Sequence, residues 1–113
     1  MTTTEQSQHM QALERANLVR LARAELKRSI GRGDVSVADV LDPDGEIPWE
    51  AEDMSVIQLL ASQHRWGRRR SQKVLVRLGI GEQRHLGLLT PRQRRRIIER
   101  VGGAGADAPS LAA

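Results

Sequence analysis

Arg65 to Lys73 reads R-W-G-R-R-R-S-Q-K, and the chemistry open to such a stretch is the binding of anions. Five of its nine residues are cationic, and Gly67 stands among them where a new helix has to begin. A helix start carries unpaired backbone N–H groups and the positive end of the helix dipole. Cations oppose that dipole, so arginines crowded into a first turn do nothing for folding. They suit a site where phosphate comes to lie on the helix start. Arginine supplies sixteen of the eighteen cations of the chain, the lysines being Lys27 and Lys73. Its planar guanidinium forks onto phosphate oxygens, which the ammonium of lysine cannot do.

Other chemistries find little support. His9, His64 and His85 are far apart, and no pair has the spacing of a zinc site. No serine sits in a nucleophile elbow, there is no glycine-rich nucleotide-binding loop, and the carboxylates gather in one turn-rich segment. With no cysteine, neither a disulfide framework nor a thiolate metal site can form. The expectation is a protein that is not an enzyme, with no catalytic residues, metal, cofactor or small-molecule substrate. No run approaches the ~20 apolar residues of a membrane span, and the polar start is no signal peptide, so a cytoplasmic protein is expected.

The net charge of +4 conceals an asymmetry. Residues 1–32 carry six basic and three acidic groups, residues 33–64 eight acidic and no Lys or Arg, and residues 65–113 twelve basic against three acidic. An arginine-rich half with a local balance of +9 is the electrostatic footprint of a nucleic-acid partner.

These residues must be positioned by helices. After a polar start expected to be disordered to about Gln8, apolar residues recur at Leu13, Ala16, Val19, Ala22, Leu26 and Ile30, the spacing of one long helix. Gly31 is expected to end it in the left-handed conformation. Three capping boxes follow at Ser36/Asp39, Ser55/Gln58 and Thr90/Gln93, the last with Pro91 at the first helical position. Between the first two lies an acidic loop, Asp42 to Asp53, with Ile47 and Trp49 expected to point inward. A helix from Arg68 to Leu78 is predicted to bury Val74, Leu75 and Leu78 and to end at Gly79. No segment alternates with period two, so the fold class is all-α. The division expected is a helical arm over 1–33, a helix-two-turns-helix domain over 34–101 and a flexible tail over 102–113.

Gly67, Ser71 and Leu75 fall four apart on one helix face. Gly67 permits a tight turn, and Ser71 is small enough for the preceding helix to pack close. The spacing resembles the second half of a helix-hairpin-helix, with Arg65 in place of the first glycine and Ser71 in place of the usual alanine. The resemblance widens with R-A-E-L-K-R-S-I (Arg23 to Ile30), M-S-V-I-Q-L-L (Met54 to Leu60), W-G-R-R-R-S-Q-K-V-L-V-R-L-G-I (Trp66 to Ile80) and the closing R-Q-R-R-R-I-I-E-R-V. In that order and spacing, the chain from about Ala16 to Val101 resembles the actinobacterial-type integration host factor, a nucleoid-associated family.

That resemblance implies a long N-terminal helix packed on a small helix-two-turns-helix domain, and binding, bending and compaction of double-stranded DNA with little sequence preference. The family's hairpin glycine and basic residue match Gly67 and Arg68, and its small residue matches Ser71. An Arg-Arg-apolar-Arg-Gly run of the family falls on Arg84-His85-Leu86-Gly87-Leu88, which keeps only Arg84 outright and has Gly87 in place of the third arginine. The residues expected at DNA are therefore Arg65, Gly67, Arg68, Arg69, Arg70, Ser71 and Lys73 at the hairpin. Arg84 and His85 are expected beside them, and Arg23, Lys27 and Arg28 along the first helix. The unbound protein is expected to be a monomer. An RNA-binding protein of the same fold, or a helical protein-interaction adaptor, are the alternatives.

Overall fold

The computed structural model describes residues 3–101, with side chains from Ser7 onward; the tail expected over 102–113 lies outside them. Five α-helices follow one another: α1 (Thr3–Arg32), α2 (Val37–Val40), α3 (Val56–Ala61), α4 (Arg68–Leu78) and α5 (Pro91–Val101), with a 3-10 turn at Leu86–Leu88 before the last. Among the described residues the only β-type pairing is one isolated bridge between Ser55 and His85. The all-α fold class holds.

The centre is α3, whose Val56, Ile57, Leu59 and Leu60 are all buried. Around it pack Leu26 and Ile30 of α1, Val37 and Val40 of α2, Leu75 of α4, Leu86 of the 3-10 turn, and Ile97 and Val101 of α5. The last turns of α1 thus belong to the same core as residues 34–101. The rest of α1 reaches away from it, and the molecule measures 66 Å along its long axis against 28 and 27 Å across.

Two expectations about α1 change. Helix begins at Thr3, where disorder to about Gln8 was expected. Nothing in that segment breaks a helix, and an anchored helix extends by one bond per residue without a new nucleus. The apolar stripe is only half used: Leu26 and Ile30 are buried and Val19 and Ala22 half-buried, but Leu13 is exposed, as are Met10, Leu18 and Leu21 on the same helix.

The helix also stops two residues later than expected. Gly33, with φ +83°, takes the left-handed position in place of Gly31. Asp34 N–H donates to Ser29 O (2.9 Å) and Gly33 N–H to Ile30 O (3.0 Å), the paired bonds of a Schellman stop. Gly31 stays helical, and a Cβ there would sit 3.4 Å from the Ser62 carbonyl, a close but tolerable contact. Glu25 accepts from Arg28 and Arg32, and Arg32 also donates to Asp34. The hydrogen bonds from Arg28 and Arg32 lower the Glu25 pKa, while those to Asp34 and Glu25 raise that of Arg32.

The acidic loop is tied down by its backbone. Arg94 Nη1 donates to Gly45 O (3.1 Å) and Arg23 Nε to Glu50 O (2.7 Å), so both arginines hold backbone carbonyls of the loop and neither pairs with its carboxylates. Ile47 points inward as expected, but Trp49 is 53 % exposed. Ala51 N–H closes a turn onto Pro48 O (2.8 Å), which puts Trp49 at the tip and gives the inward place to Ala51.

Candidate nucleic-acid interface

The hairpin between α3 and α4 sets the position of the cationic cluster. Ser62 ends α3, and Trp66 N–H donates to Gln63 O (3.1 Å) as the chain turns. Arg65 is then forced to φ +65°, the one left-handed non-glycine among the described residues. It stands where the helix-hairpin-helix pattern has its first glycine, which explains why glycine is usual there. Gly67 is different: at φ −79° and ψ 174° it is ordinary extended backbone. A Cβ on it would meet nothing within 4 Å. The turn therefore does not require glycine at 67, and the space in front of it is open. Arg65→Gly relieves the strained position, and the melting temperature should rise by the equivalent of up to about 1 kcal/mol, the left-handed penalty less the entropy cost of a new glycine. An unchanged or lower melting point in calorimetry would deny the strain.

Gly67 caps α4 without a side-chain hydrogen bond, so the N–H groups of the first turn, on Arg68, Arg69 and Arg70, have no capping side chain. Ser71 was expected among the contacting residues, but it is completely buried and its Oγ donates to Gly67 O (3.0 Å). It serves by letting α4 lie close on α3. Trp66 is also buried, and the Arg70 guanidinium stacks over its ring with 4.0 Å to the centroid. Arg68 donates from Nη2 to Glu82 Oε2 (3.1 Å). Arg69 and Lys73 are exposed, four residues apart on the outer ridge of α4. Arg77 continues that ridge and shares its shallow surface with Arg69, Gln72, Lys73 and Val76. It was not among the residues expected from sequence, although its spacing of four from Lys73 was there to see.

The second set of residues arrives by long-range backbone pairing. Residues 82–87 run antiparallel to 52–57, with Val56 N–H donating to Arg84 O (2.9 Å), Ile57 N–H to Glu82 O (3.1 Å), Leu86 N–H to Met54 O (2.9 Å) and Gly87 N–H to Glu52 O (2.9 Å). The first two bonds satisfy the free N–H groups at the start of α3. Arg84 is exposed and donates from Nη2 to Leu88 O (3.0 Å), and His85 Nδ1 lies 3.8 Å from Asp53 Oδ1. A Cβ at Gly87 would sit 3.3 Å from Glu52 O, so this close approach excludes a longer residue unless the strand-like pairing shifts.

On α1 the three expected residues part company. Lys27 shares a depression with Arg68, Gln58 and Ser62, which brings the first helix to the mouth of the hairpin. Arg23 is half-buried and bonded to Glu50 O, one turn along. Arg28 lies about half a turn round the helix from buried Leu26, bonded to Glu25.

Comparison with known proteins agrees with this architecture. Over 97 residues the chain is 36 % identical to the integration host factor of Mycobacterium tuberculosis, covering 86 % of this chain and 91 % of that protein. Over 93 residues it is 36 % identical to the integration host factor of Mycolicibacterium smegmatis, covering 82 % of this chain and 88 % of that one. The structure of sIHF bound to an 8-bp palindromic DNA superposes with a TM-score of 0.67 at 27 % identity, over 76 % of this chain and 96 % of that one. No family model matches the chain. The extent and identity of the two alignments place it nonetheless: the chain belongs to the integration host factor family.

Proposed function

We propose that the protein is a nucleoid-associated, architectural DNA-binding protein, not an enzyme, that grips duplex DNA mainly by its phosphates and bends or compacts it with little sequence preference. The observation that carries this is the continuity of the uncapped start of α4 at Gly67 with the exposed ridge of Arg69, Lys73 and Arg77. It is supported by the family and by the DNA held by a solved relative of the same fold. A phosphate seats on the free N–H groups in front of Gly67, and Arg65, Arg68, Arg69, Arg70 and Lys73 neutralise its neighbours. Lys27, across the depression from Arg68, and then Arg23 follow the duplex along α1. Arg28 joins only where the DNA wraps further round that helix. Arg84 and His85 meet an adjacent stretch of backbone. Such contacts fix position and read no sequence. No helix among the described residues is long and apolar enough to cross a membrane, and the protein acts as a cytoplasmic monomer until it meets DNA.

The test sets duplex DNA, duplex RNA and single strands in competition for the full chain, then compares three variants. Duplex DNA should win. Gly67→Ala changes no charge and meets no neighbour, so it should fold normally and still bind more weakly, because its methyl stands where the phosphate approaches. Arg69→Ala should flatten the salt slope by about 0.9, and Arg95→Ala, which removes an exposed charge from α5 outside the hairpin, should cost less affinity. Equal losses at the two arginines, with Gly67→Ala binding like the parent, would mean that the hairpin is only a fold element.

A further inference from the structure

Among the described residues, the one ion pair made by a cation of the Arg65–Lys73 stretch is Arg68 with Glu82, at 3.1 Å. A carboxylate beside a phosphate site looks like a defect, since it repels what the site attracts. Its surroundings give it another role. Glu82 is held by its own backbone, whose carbonyl accepts from Ile57 N–H at the start of α3 (3.1 Å). Its side chain accepts from two residues of α4: Arg68 Nη2 on Oε2 (3.1 Å) and Gln72 Nε2 on Oε1 (3.1 Å). Arg68 and Gln72 are four apart and therefore neighbours on the helix surface. The Glu82 side chain is 33 % exposed and that of Arg68 is 64 % exposed, so the carboxylate lies behind the guanidinium.

We infer that Glu82 is a positioning residue of the DNA interface, which holds Arg68 in place before DNA arrives. A guanidinium has five N–H donors in a fixed fork, and Glu82 uses one of those on Arg68, leaving the others to phosphate. A long side chain already ordered does not lose that freedom on association. The repulsion between the carboxylate and DNA acts through solvent and is screened by salt, and it falls on a group already neutralised by Arg68. Positioning therefore outweighs repulsion. The inference rests on the reading that the hairpin binds duplex DNA.

Glu82→Ala and Glu82→Gln remove the same charge, but only glutamine keeps an acceptor oxygen for Arg68. In the full chain, Glu82→Gln should bind duplex DNA at least as tightly as the parent, and Glu82→Ala about threefold to tenfold more weakly than Glu82→Gln, the range of one side chain's ordering cost. In an Arg68→Ala background, measured at lower salt, that difference should vanish. Glu82→Asp, which keeps the charge but shortens the reach, should resemble Glu82→Ala and serves if the alanine variant does not fold. Equal binding by the shortened variant and Glu82→Gln would overturn the inference while leaving DNA binding intact. So would a difference that persists without Arg68, which would show that Glu82 acts on the fold. A parent chain that ignores duplex DNA would overturn the broader reading, and the inference with it.

Discussion

Raising salt from about 50 mM to about 200 mM should weaken the complex with duplex DNA roughly 500-fold, if about five phosphates are neutralised at a slope near −0.9 each. The expectation rests on the exposed cations Arg65, Arg68, Arg69, Arg70 and Lys73, gathered at one helix start. Arginine contacts to phosphate release counterions whatever the sequence, so a slope near −4 to −5 should be found on unrelated duplexes alike. The structure adds a refinement. Arg65 stands in the strained left-handed position, so Arg65→Gly should flatten the slope by about 0.9 while its melting temperature rises, two effects of opposite sense in one variant. A slope near zero in fluorescence titrations would end the proposal, because a site built of arginines cannot be indifferent to salt.

What the sequence disclosed follows the range of the forces involved. The three capping boxes form as expected. Ser36 pairs with Asp39, Ser55 with Gln58 and Thr90 with Gln93, each by reciprocal bonds within three residues. Such bonds depend on nothing far away. The stop at Gly79 is equally local, with φ +71° and Ile80 N–H folding back onto Leu75 O. Gly31 and Gly33 could each end α1 on local grounds. The stop falls at Gly33, the one of the two with a positive φ. Periodicity located the apolar stripe of α1, but burial needs a partner as well, and Leu13 stays exposed. Trp49 was expected inside, yet the turn from Pro48 to Ala51 fixes which residue faces the core.

The interface was legible in the same unequal way. Its cations are contiguous, so their types and the glycine among them announced a helix start that attracts anions. The replacement of a glycine by Arg65 in the hairpin pattern was visible, and the positive φ that the turn imposes there is what makes the replacement strained. Glu82 gave no signal, because its link to Arg68 depends on the pairing of residues 82–87 with 52–57, and backbone bonds between distant segments leave no mark on side-chain periodicity. The same pairing bears on Gly87. A Cβ at this position would lie 3.3 Å from Glu52 O, a tight contact that the paired backbone would have to relieve by a small shift.

Ser71→Leu should be the most damaging single change in the hairpin, and Ser71→Ala nearly silent. Ser71 has no exposed surface, and it faces α3, whose apolar side chains are themselves buried. Its hydroxyl bonds back to the Gly67 carbonyl four residues earlier, within its own helix. Alanine loses that one bond, about 1 kcal/mol, and recovers part of it as the better helix former. Leucine must find room for three more carbons between two helices in contact, and overpacking of a closed core costs about 1–3 kcal/mol or more. In a domain of this size each kilocalorie lowers the melting temperature by about 4–8 °C, so the leucine variant should melt about 4–24 °C below the parent. The insertion would also push the start of α4 away from α3, carrying Arg68 from Glu82 and Arg70 from Trp66. DNA affinity should therefore fall even at temperatures where the variant remains folded. Calorimetry of both variants with and without a short duplex checks the two effects together. A leucine variant that melts and binds like the parent would show that the approach of α4 to α3 is not what holds the arginines in place.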